Sequence, residues 1–158
     1  MTKAIFFSGS GTSYTVNCTV KRSLEIYPAT LPALRFLGRR GYLLVLVAPE
    51  FQEYRQLQTG LKDKTLSLGY WNGQKEDLEL LIKENAINLR ESYFITDHYY
   101  LQELLFFDWR TILVLTGKGV ATLQKLNEEQ LKKVVDICKD IYAAAISIAL
   151  QRSGVDVL

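Results

Sequence analysis

Residues 4–12 read Ala4-Ile5-Phe6-Phe7-Ser8-Gly9-Ser10-Gly11-Thr12, and this stretch decides the fold class. Four consecutive apolar residues that end in a Gly-rich turn are typical of a short buried strand followed by a loop. A loop of this kind presents backbone N–H groups that can cradle an anion. The stretch therefore predicts the first strand of an α/β sheet, with a ligand-binding loop formed by Ser8, Gly9, Ser10, Gly11 and Thr12.

Apolar strand patterns alternate with helical patterns along the rest of the chain. The predicted strands after the first one are residues 42–47, 65–68, 93–95 and 111–115. The predicted helices are residues 28–40, 50–61, 76–85 and 101–107. Strands that are apolar throughout are buried on both faces, as in a parallel sheet covered by helices. The alternation predicts a single α/β domain over residues 1–158, built on a three-layer, doubly wound parallel sheet.

The segment between the first strand and the first predicted helix has a period of two. Tyr14, Val16, Cys18 and Val20 alternate with polar residues. Such alternation indicates a half-buried hairpin. It predicts a minimal flap over about residues 13–27 in place of a large cap.

The tail, residues 127–158, allows two interpretations. Asn127 and Gln130 are spaced as a capping pair, which predicts a helix that starts there. Residues 141–150 fit an extension of this helix. They also fit a last strand at residues 141–144 that is followed by a last helix.

The composition is that of a globular domain, and it excludes several classes of function. The chain has 158 residues, of which 48% are hydrophobic and 23% charged, and its net charge is +2. A near-neutral chain without a basic stripe argues against nucleic acid, and no apolar stretch reaches the ~18 residues of a membrane span. Cys18 and Cys138 are isolated, and the N-terminus has no signal-peptide pattern. We therefore expect a cytoplasmic protein with reduced thiols.

Ligands of doubly wound sheets bind at the carboxyl ends of the strands. The loops predicted there are residues 8–14, 48–52, 69–75, 96–101 and 116–119. Together with the strings around them, above all residues 89–97 and 111–119, these loops resemble the haloacid dehalogenase (HAD) superfamily. Within that superfamily they are similar to the histidinol-phosphate and heptose-bisphosphate phosphatases. The resemblance covers about residues 3–120 and implies a HAD-like Rossmannoid fold.

The resemblance implies a chemical role for particular loop positions, and most of these positions carry a different residue. Ser8 stands where the family has its nucleophilic aspartate, and Ser10 where it has the acid/base aspartate. Ala48 occupies the position of a Thr or Ser that holds the phosphoryl oxygens, and Asn72 that of a lysine with the same task. Asp97 matches the first acid of the metal-binding loop.

These departures imply a relative of the phosphatases that lacks their activity. A serine in place of the nucleophile removes an attacking group and a Mg²⁺ ligand together. The later acid of the metal loop falls near Leu101, so Asp97 is vestigial and offers too few oxygens for Mg²⁺. We therefore expect no cofactor, and a role in binding or assembly.

One alternative is a hydrolase of a small phosphorylated metabolite with atypical residues. Ser8 and Ser10 would act there with His98, the single histidine of the chain, as the base. Asp97 precedes His98 directly, which is poor geometry for orienting the imidazole, so Asp108 would have to do so.

A second alternative is a non-catalytic sensor of a phosphate-containing small molecule. Without carboxylates, the amides of the Ser8 to Thr12 loop could accept a phosphate directly. Lys75, three residues after Asn72, could supply a positive charge.

Residues 98–109 are unusually aromatic and apolar, and they suggest a protein interface. One short helix cannot bury Tyr99, Tyr100, Phe106 and Trp109 together. Exposed aromatic patches usually mark protein–protein contacts. We expect these four residues to contact a protein partner or a second copy in a homo-oligomer.

Overall fold

The computed structural model describes residues 1–17, 23–98 and 107–152. Its strands are β1 (Ala4–Ser8), β2 (Tyr14–Asn17), β3 (Ser23–Ile26), β4 (Leu43–Val47), β5 (Leu68–Trp71), β6 (Tyr93–Thr96), β7 (Arg110–Val114) and β8 (Val134–Cys138). Its helices are α1 (Thr30–Arg39), α2 (Phe51–Leu61), α3 (Lys75–Asn85), α4 (Gly119–Lys125), α5 (Glu128–Lys132) and α6 (Ile141–Arg152), with a 3₁₀ turn at Leu89–Glu91. None of the helices within these ranges combines the length and the apolar character needed to cross a membrane.

Six strands form one parallel sheet in the order β5-β4-β1-β6-β7-β8. β1 lies in the middle, and all five of its residues are buried. From β1 the chain moves outward through β4 and β5, then returns to the other side of β1 for β6, β7 and β8. The strand order therefore reverses beside β1, and the crevice at such a reversal is where α/β sheets bind ligands. This is the α/β, doubly wound sheet that the sequence predicts.

The two faces of β1 belong to two different cores. Ile5 and Phe7 pack in the core that includes α1 and α6. Ala4 and Phe6 pack on the opposite face in a smaller core, which is rich in aromatic rings and includes Trp71. This division is the period of two that a central strand imposes on its side chains.

The antiparallel pair β2–β3 forms the predicted minimal flap. It lies against α2, and the contact is close: a Cβ added to Gly60 would come within 2.6 Å of the Ile26 side chain. The residues that join the two strands, 18–22, lie outside the described ranges. The flap thus follows the loop after β1 directly and packs on α2.

The predicted strand at residues 65–68 is wrong. Asp63 accepts hydrogen bonds from the N–H and the hydroxyl of Thr65, at 2.9 and 2.5 Å, and these bonds hold the segment in a turn. The strand begins at Leu68, where pairing with β4 starts. Local side-chain bonds of this kind compete with a strand ladder.

Both interpretations of the tail are wrong in part. The capping box at Asn127 and Gln130 is present, but the helix that it starts ends at Lys132. The last strand is β8, and residues 141–152 are helical. Asp140 begins α6 by accepting the Ala143 N–H at 2.8 Å. A short capped turn therefore precedes an edge strand, and the β-branched residues of that strand pair with β7.

Candidate functional site

The candidate site lies at the carboxyl ends of β1, β4 and β6. Ser8, the last residue of β1, pairs with Val47 of β4 in the parallel ladder. β6, the neighbour on the other side, ends at Thr96 and leads directly into Asp97 and His98. The sheet thus brings together Ser8, Ala48 and Asp97, three positions that the sequence singles out.

Ser8 is buried and its hydroxyl is committed to a neighbouring strand. Its side chain is 1% exposed, and Oγ donates to Thr96 Oγ1 at 2.7 Å. Thr96 in turn donates to the carbonyl oxygen of His98 at 3.0 Å. This relay joins β1 to the end of β6, and it offers no base to the Ser8 hydroxyl.

Most of the backbone N–H groups of the loop after β1 donate hydrogen bonds within the loop or to neighbouring segments. Gly9 donates to the Val47 carbonyl at 3.1 Å, and Gly11 donates to the Tyr14 carbonyl at 2.7 Å. Thr12 donates to the Gly9 carbonyl at 3.1 Å. Ser10 is the one exposed residue among positions 8 to 12. The amides that the sequence offers to an anion are therefore largely occupied by backbone carbonyls.

Asp97 is the hub of the site. Its carboxylate accepts hydrogen bonds from Thr12 Oγ1 at 3.0 Å and from the Lys118 backbone N–H at 2.9 Å, and it contacts His98 Nδ1 at 2.7 Å. Burial raises the pKa of this carboxyl, but the bonds from His98, Lys118 and Thr12 lower it more, so the pKa of Asp97 lies below its ordinary value. Asp97 is thus an ionised group that ties three loops together.

Two glycines make room for this carboxylate. Gly11 has φ +92°, and a Cβ there would come within 2.0 Å of Asp97 Oδ2. Gly117 has φ +53°, and its Cβ would lie 2.6 Å from the same oxygen and 2.4 Å from Gly11 Cα. The loops after β1 and β7 therefore meet over Asp97 with only backbone between them.

The contact between Asp97 and His98 contradicts one expectation from the sequence. Adjacent residues were expected to be too poorly placed for the carboxylate to orient the imidazole, yet the two side chains meet at 2.7 Å. Asp108, the expected alternative partner, is instead exposed and lies 3.7 Å from Arg90. The error lies in treating sequence neighbours as extended, because the chain turns at the end of β6.

The other side of the site is built differently. Ala48 is buried, and its carbonyl accepts the Tyr70 hydroxyl at 2.8 Å. Asn72 donates to Asp77 Oδ2 at 2.7 Å and accepts the Gln74 N–H at 2.9 Å, so its side chain shapes the turn into α3. Lys75, the first residue of α3, is exposed. Ala48 has no polar side-chain group, and the Asn72 amide is engaged in the turn, so neither position has a free side-chain group for a phosphoryl oxygen.

The described residues bring together no cluster of acidic, histidine or cysteine side chains for a divalent cation. Within residues 1–17, 23–98 and 107–152, no group of three or more His, Cys, Asp or Glu side chains could hold a metal ion. The Asp97 oxygens already accept hydrogen bonds, and Ser8 and Ser10 bring hydroxyls where Mg²⁺ prefers charged oxygens. Leu101 lies outside the described residues.

Tyr14 and Glu53 are part of the site and were not singled out from the sequence. Tyr14 lies over Gly9, where a Cβ would come within 2.0 Å of its hydroxyl oxygen. The hydroxyl donates to Glu53 Oε1 at 2.9 Å, and Glu53 is 5% exposed. In the sequence, the glycine at position 9 is the one indication that another group packs closely against this point of the loop.

The expected exposure of Trp109 is wrong. Its indole is 6% exposed and packs in an aromatic cluster, 5.1 Å from each of the Phe6, Phe94 and Phe107 rings between centroids. Trp109 thus belongs to the smaller core. The other interface candidates, Tyr99, Tyr100 and Phe106, lie outside the described residues.

The strand order and the crevice beside β1 are those of a doubly wound α/β fold with a hairpin directly after its first strand. Solved structures of HAD-type phosphatases superpose on nearly the whole chain. One is D,D-heptose 1,7-bisphosphate phosphatase from Burkholderia thailandensis, with a TM-score of 0.68 and 18% identity over 93% of this chain and 98% of that one. The enzyme of the same name from B. bronchiseptica, solved with magnesium and phosphate, gives a TM-score of 0.73 and 17% identity over 94% and 99%.

A third similar structure is 3-deoxy-D-manno-octulosonate 8-phosphate phosphatase from Moraxella catarrhalis. It has a TM-score of 0.64 and 16% identity over 95% of this chain and 86% of that one. No protein-family model matches the sequence, and no curated protein matches it either. At these identities the likeness establishes the fold.

Proposed function

We propose that this chain is a relative of the HAD phosphatases that has lost their chemistry and acts as a binding or assembly module. The proposal rests on Ser8, which stands where the resemblance implies the nucleophile. A serine attacks phosphorus only when a base takes its proton. The Ser8 hydroxyl is buried and donates to Thr96, a neutral hydroxyl that in turn donates a hydrogen bond to the His98 carbonyl.

The remaining functional positions support the same conclusion. Phosphoryl transfer by this fold needs a metal and a positive clamp to neutralise the charge of the transferring group. Asp97 is engaged by Thr12, His98 and the Lys118 N–H, and the two clamp positions are a buried alanine and a turn-forming asparagine. The losses concern separate loops, so no single substitution repairs them.

One observation favours the alternative hydrolase. The 2.7 Å contact between Asp97 Oδ1 and His98 Nδ1 resembles the carboxylate–imidazole half of a catalytic triad. A triad also needs a hydroxyl that donates to the imidazole, whereas the Ser8 hydroxyl donates to Thr96. The alternative therefore depends on a rearrangement of Ser8 toward His98.

A phosphatase assay separates the two. The protein is incubated at high concentration with Mg²⁺ and p-nitrophenyl phosphate, beside matched preparations of Ser8→Ala and His98→Ala. We expect the same background hydrolysis from all three. Turnover by the wild-type protein that either substitution abolishes would overturn the proposal.

A graded restoration tests whether the separate losses matter together. Ser8→Asp with Ser10→Asp restores the carboxylates after β1, and we expect no phosphatase activity from it because the clamp positions are unchanged. The control adds Ala48→Thr and Asn72→Lys to the same protein. Efficient turnover by the first variant would show that the clamp positions do not limit activity.

A thermal-shift titration tests the phosphate-sensor alternative. Inorganic phosphate and a sugar phosphate are compared with sodium chloride at equal ionic strength. Because the amides of Gly9, Gly11 and Thr12 are already donated within the protein, we expect no specific stabilisation. A phosphate-specific rise in Tm that Ser10→Asp removes would favour the sensor instead.

A further inference from the structure

The layer formed by α1 and α6 carries positive charge and no negative charge. The two helices pack against each other on the larger core. Neither residues 30–40 nor residues 141–152 contain an aspartate or a glutamate, although the chain has 17 of them against 19 lysines and arginines. The cations of this layer are Arg35, Arg39, Arg40 and Arg152. A nearly neutral protein thus concentrates positive charge on one layer.

A groove of about 540 Å³ lies on this layer. Its lining consists of three arginines and three residues with a ring: Arg35, Arg39, Arg40, Pro32, Phe36 and Tyr142. We refer to these six residues as the arginine groove. Sites for small molecules have volumes of about 300–1,000 Å³, so the size of the groove fits a small molecule.

Two of the three guanidinium groups in the groove have no ionic partner. Arg35 donates from Nε to Asp63 Oδ2 at 2.6 Å. Within residues 1–17, 23–98 and 107–152, neither Arg39 nor Arg40 forms an ion pair. A guanidinium binds phosphate oxygens through two parallel N–H bonds. Two such groups on consecutive residues therefore favour an anion that carries more than one charge.

The carboxylates that border the two helices are already engaged. Asp63 accepts hydrogen bonds from Arg35 and from the Thr65 N–H. Asp140, directly before α6, accepts the Ala143 N–H at 2.8 Å. Neither carboxylate is thus bonded to Arg39 or Arg40.

The rings of the groove add a surface on which a planar group can stack. The Arg40 guanidinium lies over the Phe36 ring, with Cζ 4.7 Å from the ring centroid, and this cation–π contact holds it in place. Tyr142 lines the groove from α6 and is 41% exposed. Nucleobases stack on tyrosine rings and on guanidinium planes. The groove therefore combines groups for an anion with groups for a flat ring.

We propose that the arginine groove binds a nucleoside diphosphate. Arg39 and Arg40 hold the phosphate oxygens, and the base packs against Tyr142. The proposal deepens the binding role under the proposed function by giving it a ligand class and a second location. Arg39 and Arg40 directly precede β4, at the amino ends of the strands, whereas Ser8 lies at the carboxyl end of β1. Failure of nucleotide binding would therefore leave the proposed loss of phosphatase chemistry untouched.

Isothermal titration of the full chain with ADP, without Mg²⁺ and at constant ionic strength, tests the site. We expect a Kd of about 10–100 μM. Arg39→Gln with Arg40→Gln should weaken binding at least about tenfold, because both charge-assisted contacts are lost. An absence of binding by the wild-type protein at about 1 mM ADP would overturn the proposal.

A matched control removes the same charge elsewhere. Lys83 and Lys125 are exposed and lie in the last turns of α3 and α4, as Arg39 does in α1. Lys83→Gln with Lys125→Gln should leave the Kd for ADP unchanged, since neither lysine lines the groove. Equal weakening by the two double variants, with unchanged circular dichroism spectra, would mean that net charge alone attracts ADP and would overturn the site.

Pyrophosphate and adenosine separate the charge of the ligand from its ring. Each should bind at least about fivefold more weakly than ADP, because each lacks one of the two contacts. Tyr142→Ala should weaken ADP by a similar factor and leave pyrophosphate unchanged. Pyrophosphate that binds as tightly as ADP, with no effect of Tyr142→Ala, would overturn the nucleotide in favour of a simple anion. Binding of a hexaglutamate peptide in preference to ADP would overturn it in favour of an acidic protein segment.

Discussion

The loop after β1 and the loop after β5 follow strands of the same sheet at the same edge, yet they are built in opposite ways. Gly11 and Gly73 have nearly the same left-handed backbone, with φ +92° and +87°. A Cβ at Gly11 would meet the Asp97 carboxylate, whereas a Cβ at Gly73 would meet nothing within 4 Å. One loop is thus a packed junction between strands, and the other is an open turn that starts α3.

This difference indicates which of the two loops contributes to the stability of the whole domain. The junction over Asp97 joins the loops after β1, β6 and β7 through buried and partly buried hydrogen bonds, so its residues contribute to the stability of the domain. The turn at Asn72 bonds mainly within itself. Gly11, Thr12 and Asp97 therefore have a structural role that does not depend on the residues at positions 48 and 72.

Alanine substitution of the two glycines should give the largest difference in stability between the two loops. Gly11→Ala forces a Cβ onto a buried carboxylate in addition to the strain of a left-handed alanine, so we expect a loss of about 3–5 kcal/mol in the free energy of unfolding. Gly73→Ala carries the backbone strain alone and should lose about 1–2 kcal/mol. Urea denaturation of both variants measures the gap, and equal losses would mean that the junction is not packed as described.

Asp97→Asn should cost about 2–3 kcal/mol at pH 7, because it removes an ionised acceptor of three hydrogen bonds, one buried and two partly buried. The folded pKa of Asp97 is below its unfolded value of 3.8, so the stabilisation is complete above pH 3.8 and is lost as the pH falls through the folded pKa. The wild type and the variant should therefore converge in acid. Unfolding curves at pH 7 and pH 3 test this, with Glu79→Gln on the exposed side of α3 as control, and a gap that widens in acid would reverse the assigned sign.

Asn72→Ala should have the smallest effect, a loss of about 1 kcal/mol, because the side chain only starts a helix and is partly solvated. The same substitution at Asn88, which accepts the Arg90 N–H before a 3₁₀ turn, is a comparable local control. Thermal unfolding monitored by circular dichroism is sufficient. A loss as large as that of Asp97→Asn would show that the loop after β5 contributes as much to the stability of the domain as the junction over Asp97.

Apolar runs were enough to predict the inner strands of the sheet. β1, β4, β6 and β7 are buried on both faces, so each is recognisable as a continuous apolar segment. β5 and β8 lie at the edges and are only partly buried, and both were misplaced. Their residues satisfy helix and turn patterns equally well, and the partner strand settles the outcome.

The candidate site was predicted in its positions but not in its bonds. The loops at Ser8, Ala48 and Asp97 were expected together because carboxyl ends of parallel strands meet at one edge. The relay from Ser8 to Thr96 and the contact of Tyr14 with Glu53 join residues that are 88 and 39 positions apart. Side-chain contacts over such separations leave no local pattern.

The order of residues along the chain is sufficient to specify a doubly wound α/β sheet, and it places serines, alanine and asparagine at the loop positions for which the resemblance implies reactive groups. It does so because strand burial and loop position are local properties of the pattern. Whether the Ser8 hydroxyl is available, whether Asp97 is already engaged, and which apolar residues stay uncovered depend on how distant segments pack. Those outcomes were decided in the folded chain, where hydrogen bonds and contacts between remote loops replace those made with water.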